Sequence, residues 1–170
     1  SIPLFILAAK IMNGSSVTKR IFDFCNVLVG WLPGGLGHAN IVASLIFAGM
    51  SGTATSDVAG LGQIEIEAMK ENGYDVEFSA GVTAASSTVG PIFPPSVPMI
   101  MYSTISGVSV GSLFMGGVIP GVLMTILMML IVYVVAKKRN YPKLPFPTAK
   151  EAFVAFEKAL IPCLTPIILL

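Results

Sequence analysis

Charge is the scarcest commodity in this chain. Only 11% of its 170 residues are Asp, Glu, Lys or Arg, against 54% apolar, and soluble domains carry about a quarter charged residues. From Phe78 to Ala136 there is no Lys, Arg, Asp or Glu at all. The net charge of +1 provides no basic stripe for nucleic acid. A single histidine, His38, excludes a metal centre built from His and Cys. The two cysteines, Cys25 and Cys163, stand apart in apolar surroundings without a CxxC motif, so they read as buried thiols and carry no redox inference. No basic leader or cleavage site precedes Ala9, and both ends fall inside apolar runs, so the chain is expected to be a piece of a longer one. The mean hydropathy of +0.84 completes the case for an integral membrane protein.

The long charge-free stretch is interrupted near its start. Gly90-Pro91-Ile92-Phe93-Pro94-Pro95-Ser96-Val97-Pro98 cannot continue a helix, because proline lacks an N–H and clashes with the turn before it. Irregular backbone persists at membrane depth only where protein or a watery cavity shelters it. Freed carbonyls there suit a small cation, and a half-helix N-terminus suits an anion.

The order of elements follows from length and punctuation. Ser1 to Ala9 reads as the tail of a membrane helix, with a turn at Asn13-Gly14, and Ile21 to Leu32 as an interfacial helix anchored by Trp31. His38 to Met50 and Asp57 to Met69 are each too short to cross a bilayer of about 30 Å, so a re-entrant hairpin over 38–69 is expected, joined by Ser51 to Ser56. Its acidic residues Glu65, Glu67 and Glu71 are placed at the cytoplasmic end, with Gly73 ending the arm. Asp75 opens a helix broken at Gly90 and resumed near Pro98, giving a broken helix over 75–105. Val110 to Ala136 spans, Lys137-Lys138-Arg139 stops it, and Tyr141 to Pro147 is extended. Thr148 and Glu151 form a capping box for an amphipathic helix bearing Phe153, Phe156 and Leu160 on one face, followed by the start of another membrane helix. The regions are therefore 1–36, 37–105, 106–147 and 148–170. If the hairpin returns to its own side, every Lys and Arg falls on one face, which the positive-inside rule makes cytoplasmic.

Candidate chemistry gathers at two places. The hairpin tip offers hydroxyls from Ser51, Thr53, Thr55 and Ser56, and the break offers carbonyls; together they form either a cation site or a kink satisfied by Ser and Thr. Asp57 is either a functional intramembrane carboxylate or the cap of the second arm. Two rival readings come from short motifs. Gly49-Met50-Ser51-Gly52 fits the GxSG pattern of rhomboid-type proteases, but the one histidine precedes Ser51 on the same arm. Thr88-Val89-Gly90 is similar to part of a potassium-channel filter, with Pro91 where a tyrosine belongs.

A longer series of motifs carries a stronger likeness. Ile2-Pro3-Leu4-Phe5, Leu32-Pro33-Gly34-Gly35-Leu36, Ser51-Gly52-Thr53 with Asp57, Gly73-Tyr74-Asp75, Thr83-Ala84-Ala85-Ser86-Ser87, Gly90-Pro91-Ile92-Phe93-Pro94-Pro95-Ser96 and Ile119-Pro120-Gly121 occur in this order. In that order they resemble the large membrane (DctM-like) subunit of tripartite ATP-independent periplasmic (TRAP) transporters, a family with sialic acid and C4-dicarboxylate members. The resemblance implies an all-α, inverted-repeat, elevator-type permease in the bacterial inner membrane, crossing it several times. This chain would be its N-terminal half, without the second hairpin and second sodium site. It implies no enzyme activity, sodium-coupled uptake of a carboxylated solute, a periplasmic substrate-binding protein and a small membrane subunit, separate or fused. By the same likeness Ser51, Thr53, Gly90, Ile92 and Pro95 would bind sodium (Na+). Asp57, Ser56 and Ser96 would lie beside the substrate.

Overall fold

The computed structural model describes residues 17–169, which are helical with no strand among them. The expected membrane-helix tail at Ser1 to Ala9 lies outside the described residues. Helix α1 (Val17–Val29) is amphipathic: Ile21, Phe22 and Cys25 are buried while Lys19, Arg20 and Asp23 face outward. The Trp31 indole N–H then donates to the Leu28 carbonyl at 2.9 Å, and its ring lies 5.5 Å from that of Phe146.

Helix α2 (Gly35–Ser51) begins after left-handed Gly34 and ends at left-handed Gly52. The second arm follows almost at once, as α3 (Ala54–Asp57), a π-turn (Val58–Gly62) and α4 (Gln63–Glu71) without a gap. The connection is thus Gly52 and Thr53, shorter than the expected Ser51 to Ser56. Gly52, at φ 62°, reverses the chain in one residue. The Thr53 hydroxyl accepts the Ser56 N–H at 3.3 Å and restarts the helix at Ala54. Asp57 is therefore inside the second arm and does not cap it, which corrects that alternative.

Helix α5 (Val76–Ser87) starts after Asp75, whose carboxylate bonds Arg139 and Tyr141 and leaves the helix end uncapped. The chain is irregular from Thr88 to Ser96. It resumes as α6 (Val97–Ser106), with the Ser96 hydroxyl accepting the Met99 N–H at 3.3 Å. Helix α7 (Val110–Arg139) is long and apolar enough to cross a membrane, with a mean hydropathy of 2.6 over its best window. Met115, Ile119, Leu130, Ile131 and Val134 point outward from it, so its apolar surface is not the core of a soluble bundle.

After Asn140 the extended segment returns to the hairpin base. Leu144 N–H donates to the Gly30 carbonyl at 3.0 Å, and the Tyr74 hydroxyl donates to the Pro142 carbonyl at 3.2 Å. Rings of Tyr74, Phe78 and Tyr141 pack there, with Tyr74 and Tyr141 4.5 Å apart. Helix α8 (Ala149–Leu169) opens with Glu151 accepting the Thr148 N–H at 2.9 Å, as the capping box requires. It runs as one helix through Pro162 and Pro166. Phe153, Phe156 and Leu160 are exposed along it, and Phe156 lies 6.1 Å from Phe24.

Candidate functional site

The hairpin tip and the break in the charge-free stretch meet backbone to backbone. Val97 N–H donates to the Gly52 carbonyl at 3.2 Å. A β-carbon on Gly52 would stand 2.7 Å from the Pro95 carbonyl oxygen, and one on Gly90 would stand 3.1 Å from the Thr53 carbonyl carbon. At Gly52 only glycine permits approach this close, and at Gly90 a β-carbon would press the Thr53 backbone away by a few tenths of an ångström, so both glycines help two interrupted elements touch.

Depth is set by α7. A β-carbon on Gly117 would meet the Ile92 carbonyl at 2.4 Å, and one on Gly121 would meet Phe93 at 3.0 Å. Gly117 and Gly121 form a small-xxx-small stripe of the kind that lets membrane helices approach closely. They lie roughly 10 to 16 Å from the start of a helix about 45 Å long. The hairpin base packs at the other end, where a β-carbon on Gly34 would clash with Ala136. The tip and the break are thus inside the apolar span of α7.

The expected residues are distributed as follows. Ser51 is buried, and its hydroxyl donates to the Thr53 carbonyl at 3.4 Å. The Thr53 hydroxyl donates to Ser56 Oγ at 2.8 Å and accepts the Ser56 N–H, which leaves it one lone pair. Gly90 and the Pro95 carbonyl complete the meeting point. Ile92 is placed differently, with its carbonyl lodged against Gly117. Ser96 is fully buried, donating to the Pro91 carbonyl at 2.6 Å while capping α6. This donor set is all oxygen, the chemistry that hard cations take.

Behind the tip runs a buried polar seam between α2 and α5. Asn40 Nδ2 donates to Thr83 Oγ1 at 2.7 Å, Ser86 Oγ donates to Asn40 Oδ1 at 2.7 Å, and Ser44 Oγ donates to Ser86 Oγ at 3.0 Å. Ser44 also bonds Asp57, which is 2% exposed. The seam was visible in part, since Asn40 and Ser44 stand one helical turn apart in an otherwise apolar arm. Glu65, on the second arm, is fully buried too, although neither of its oxygens joins these hydrogen bonds. The signal was its spacing from Asp57, concealed by the π-turn.

The rival motifs fail on geometry. His38 lies in the first turn of α2 and Ser51 at its last residue, about 20 Å apart along the axis, too far for a base and its nucleophile. Thr88, Val89 and Gly90 each donate an N–H three residues back, at 3.1 Å, which is a helical turn and not an extended filter strand.

Comparison of the sequence with known proteins identifies its family. Residues 1–170 match the family model described as the tripartite ATP-independent periplasmic transporter, DctM component. The chain is 45% identical over its whole length to the sialic acid TRAP transporter large permease protein SiaM of Vibrio cholerae, covering 40% of that protein. It is also 45% identical over its whole length to the sialic acid TRAP transporter permease protein SiaT of Haemophilus influenzae, covering 28% of it. Over 94% of the chain it is 43% identical to the C4-dicarboxylate TRAP transporter large permease protein DctM of Vibrio cholerae, covering 35% of that protein. The chain thus spans well under half the length of these relatives, which are transporter permeases and not enzymes. It belongs to the DctM component family of tripartite ATP-independent periplasmic transporters.

Proposed function

We propose that this chain is the sodium-binding half of a permease that imports a small carboxylated solute, of the sialic acid or C4-dicarboxylate class, across the bacterial inner membrane. The observation that carries the reading is the contact of Gly52 with Pro95 and Val97, and of Gly90 with Thr53, at the depth of Gly117 and Gly121 on α7. An interrupted pair of helices is costly in lipid unless its freed polar groups gain partners. The Ser51 and Thr53 hydroxyls with the Gly90 and Pro95 carbonyls would hold Na+, and the ion supplies the positive charge that these oxygens lack. Ile92, the fifth expected ligand, would join them if its carbonyl turned away from Gly117.

The hairpin, on this reading, is re-entrant: both ends lie near the charged end of α7 and its tip lies inside the span. Asp57, close behind the tip, and Ser56 and Ser96 beside it would border the solute. Holding tip and break together by shared oxygens makes ion binding and solute binding favour one conformation, which is coupling in the thermodynamic sense. A membrane potential of 100 mV supplies about 2.3 kcal/mol per charge. A carboxylate moving inward opposes it, so more than one sodium ion per solute is expected. The remaining half of the subunit, moving with this one in an elevator-type, inverted-repeat architecture, would complete the multi-pass transporter. A small membrane subunit and a periplasmic substrate-binding protein would be its partners.

The test is uptake into proteoliposomes by the full complex, with its binding protein, under an imposed sodium gradient. Uptake that needs the gradient supports the reading; equal uptake with potassium on both sides opposes it.

A further inference from the structure

Two carboxyls face the interior of the second hairpin arm. Glu65 has no exposed surface, and neither of its oxygens has a hydrogen-bond partner. Asp57 is 2% exposed with Oδ1 equally without a partner, while Ser44 serves its carboxylate from the other side. The π-turn between them sets their relationship. In regular α-helix, positions 57 and 65 would be about 2.2 turns apart and would diverge around the axis. A π-turn absorbs roughly one additional residue, which returns the separation to about two turns and puts both carboxyls on one face.

Neutralising groups are found elsewhere. Asp75, before α5, is engaged by Arg139 and Tyr141, and Glu77 lines an apolar groove between α5 and α7. Lys19 and Asp23 of α1 line a different groove with Glu67 and Glu71. From α2 come buried His38 and the uncharged Asn40 and Ser44; from α5 come the hydroxyls of Ser79, Thr83 and Ser86. Among the described residues no ammonium or guanidinium bonds Glu65. Among the described residues a carboxylate in this position has neither donors nor a counter-charge, and the ordinary outcome for such a group is to take up a proton.

We propose that Glu65 is a proton-binding site of the hairpin. Its carboxyl holds the proton while the hairpin is packed on α5 and releases it to water when that packing opens, the O–H bond breaking to leave a solvated carboxylate. The role in transport rests on the permease reading above, but occupancy of the site does not.

Infrared difference spectroscopy of the full-length complex in nanodiscs tests this directly, in sodium-free buffer so that the outcome is independent of the proposed ion site. The expected result is a protonated-carboxyl C=O band at neutral pH that is absent in Glu65→Gln and retained in Asp57→Asn. Should Glu65→Gln not assemble, wild-type complex carrying 13C-carboxyl glutamate must show that band displaced, and 13C-labelled aspartate must leave it in place. A wild-type spectrum without the band, or a band that Glu65→Gln or glutamate labelling leaves unaltered, overturns the proposal. For release, uptake should fall as pH rises above neutral in wild type and should lose that dependence in Glu65→Gln; pH-independent uptake by wild type would refute the release step.

Discussion

The backbone N–H of Val97 donates to the carbonyl of Gly52 at 3.2 Å, tying the first residue of α6 to the turn of the hairpin. Gly52 is left-handed at φ 62°, and a β-carbon there would lie 2.7 Å from the Pro95 carbonyl oxygen. Gly52→Ala therefore incurs the left-handed cost of about 1–2 kcal/mol and a backbone clash as well. Sodium-driven uptake should be abolished in a complex that still reaches the membrane. Wild-type uptake by this variant would mean that the tip and the break do not need their close contact.

Ser51→Ala and Thr53→Ala each remove a proposed ligand oxygen. Both should raise the sodium concentration that gives half-maximal uptake, and Thr53→Ala should also destabilise the hairpin by about 1 kcal/mol through loss of its cap. Thr53→Ser keeps the hydroxyl and should restore both properties. An unchanged sodium requirement in Ser51→Ala and Thr53→Ala would count against the ligand assignment.

Because Thr53 is the cap, Asp57→Asn tests the carboxylate alone. Asparagine retains the shape and can still hydrogen-bond Ser44. The expected result is normal assembly with at least a tenfold weaker apparent affinity for the solute; normal affinity would show that the charge plays no part in binding it.

At the hairpin base, the Tyr141 hydroxyl and then Arg139 hold the Asp75 carboxyl below its ordinary value of 3.8. A depressed carboxyl contributes stability that is fully present above the ordinary value and is lost as pH falls through the lower folded one. The pair is exposed, so its contribution should be small and salt-sensitive. Asp75→Asn should lower the thermal midpoint slightly above that window, with the difference from wild type vanishing in acid and shrinking in high salt. A difference that persists in acid would place its origin elsewhere than in this charge.

Most of the helix order was legible because lipid forbids what soluble proteins tolerate. A charge-free run must span, and Gly90 to Pro98 must interrupt it, so α5, the break, α6 and α7 followed from residue types alone. Gly73 ending α4, and Glu151 over the start of α8, were legible for the same local reasons. The hairpin turn was harder, since Ser51 to Ser56 reads as a polar linker and only the Thr53 cap reveals that the helix has already resumed. The burial of Glu65 was not legible because an acidic residue between Gln63 and Glu67 looks like one more polar position, and no local pattern announces a π-turn. The match of Gly117 and Gly121 to the break is a tertiary fact that spacing permits but does not require.

The most direct measurement is a pair of cryo-electron microscopy maps of the complete permease, one in sodium and one with sodium replaced by choline. The account predicts ion density bounded by the Ser51 and Thr53 hydroxyls and the Gly90 and Pro95 carbonyls in the first map, and its loss with loosening of the Gly52–Val97 contact in the second. Sodium-driven uptake by a complex whose sodium map shows the tip separated from the break, with no density between them, would contradict it.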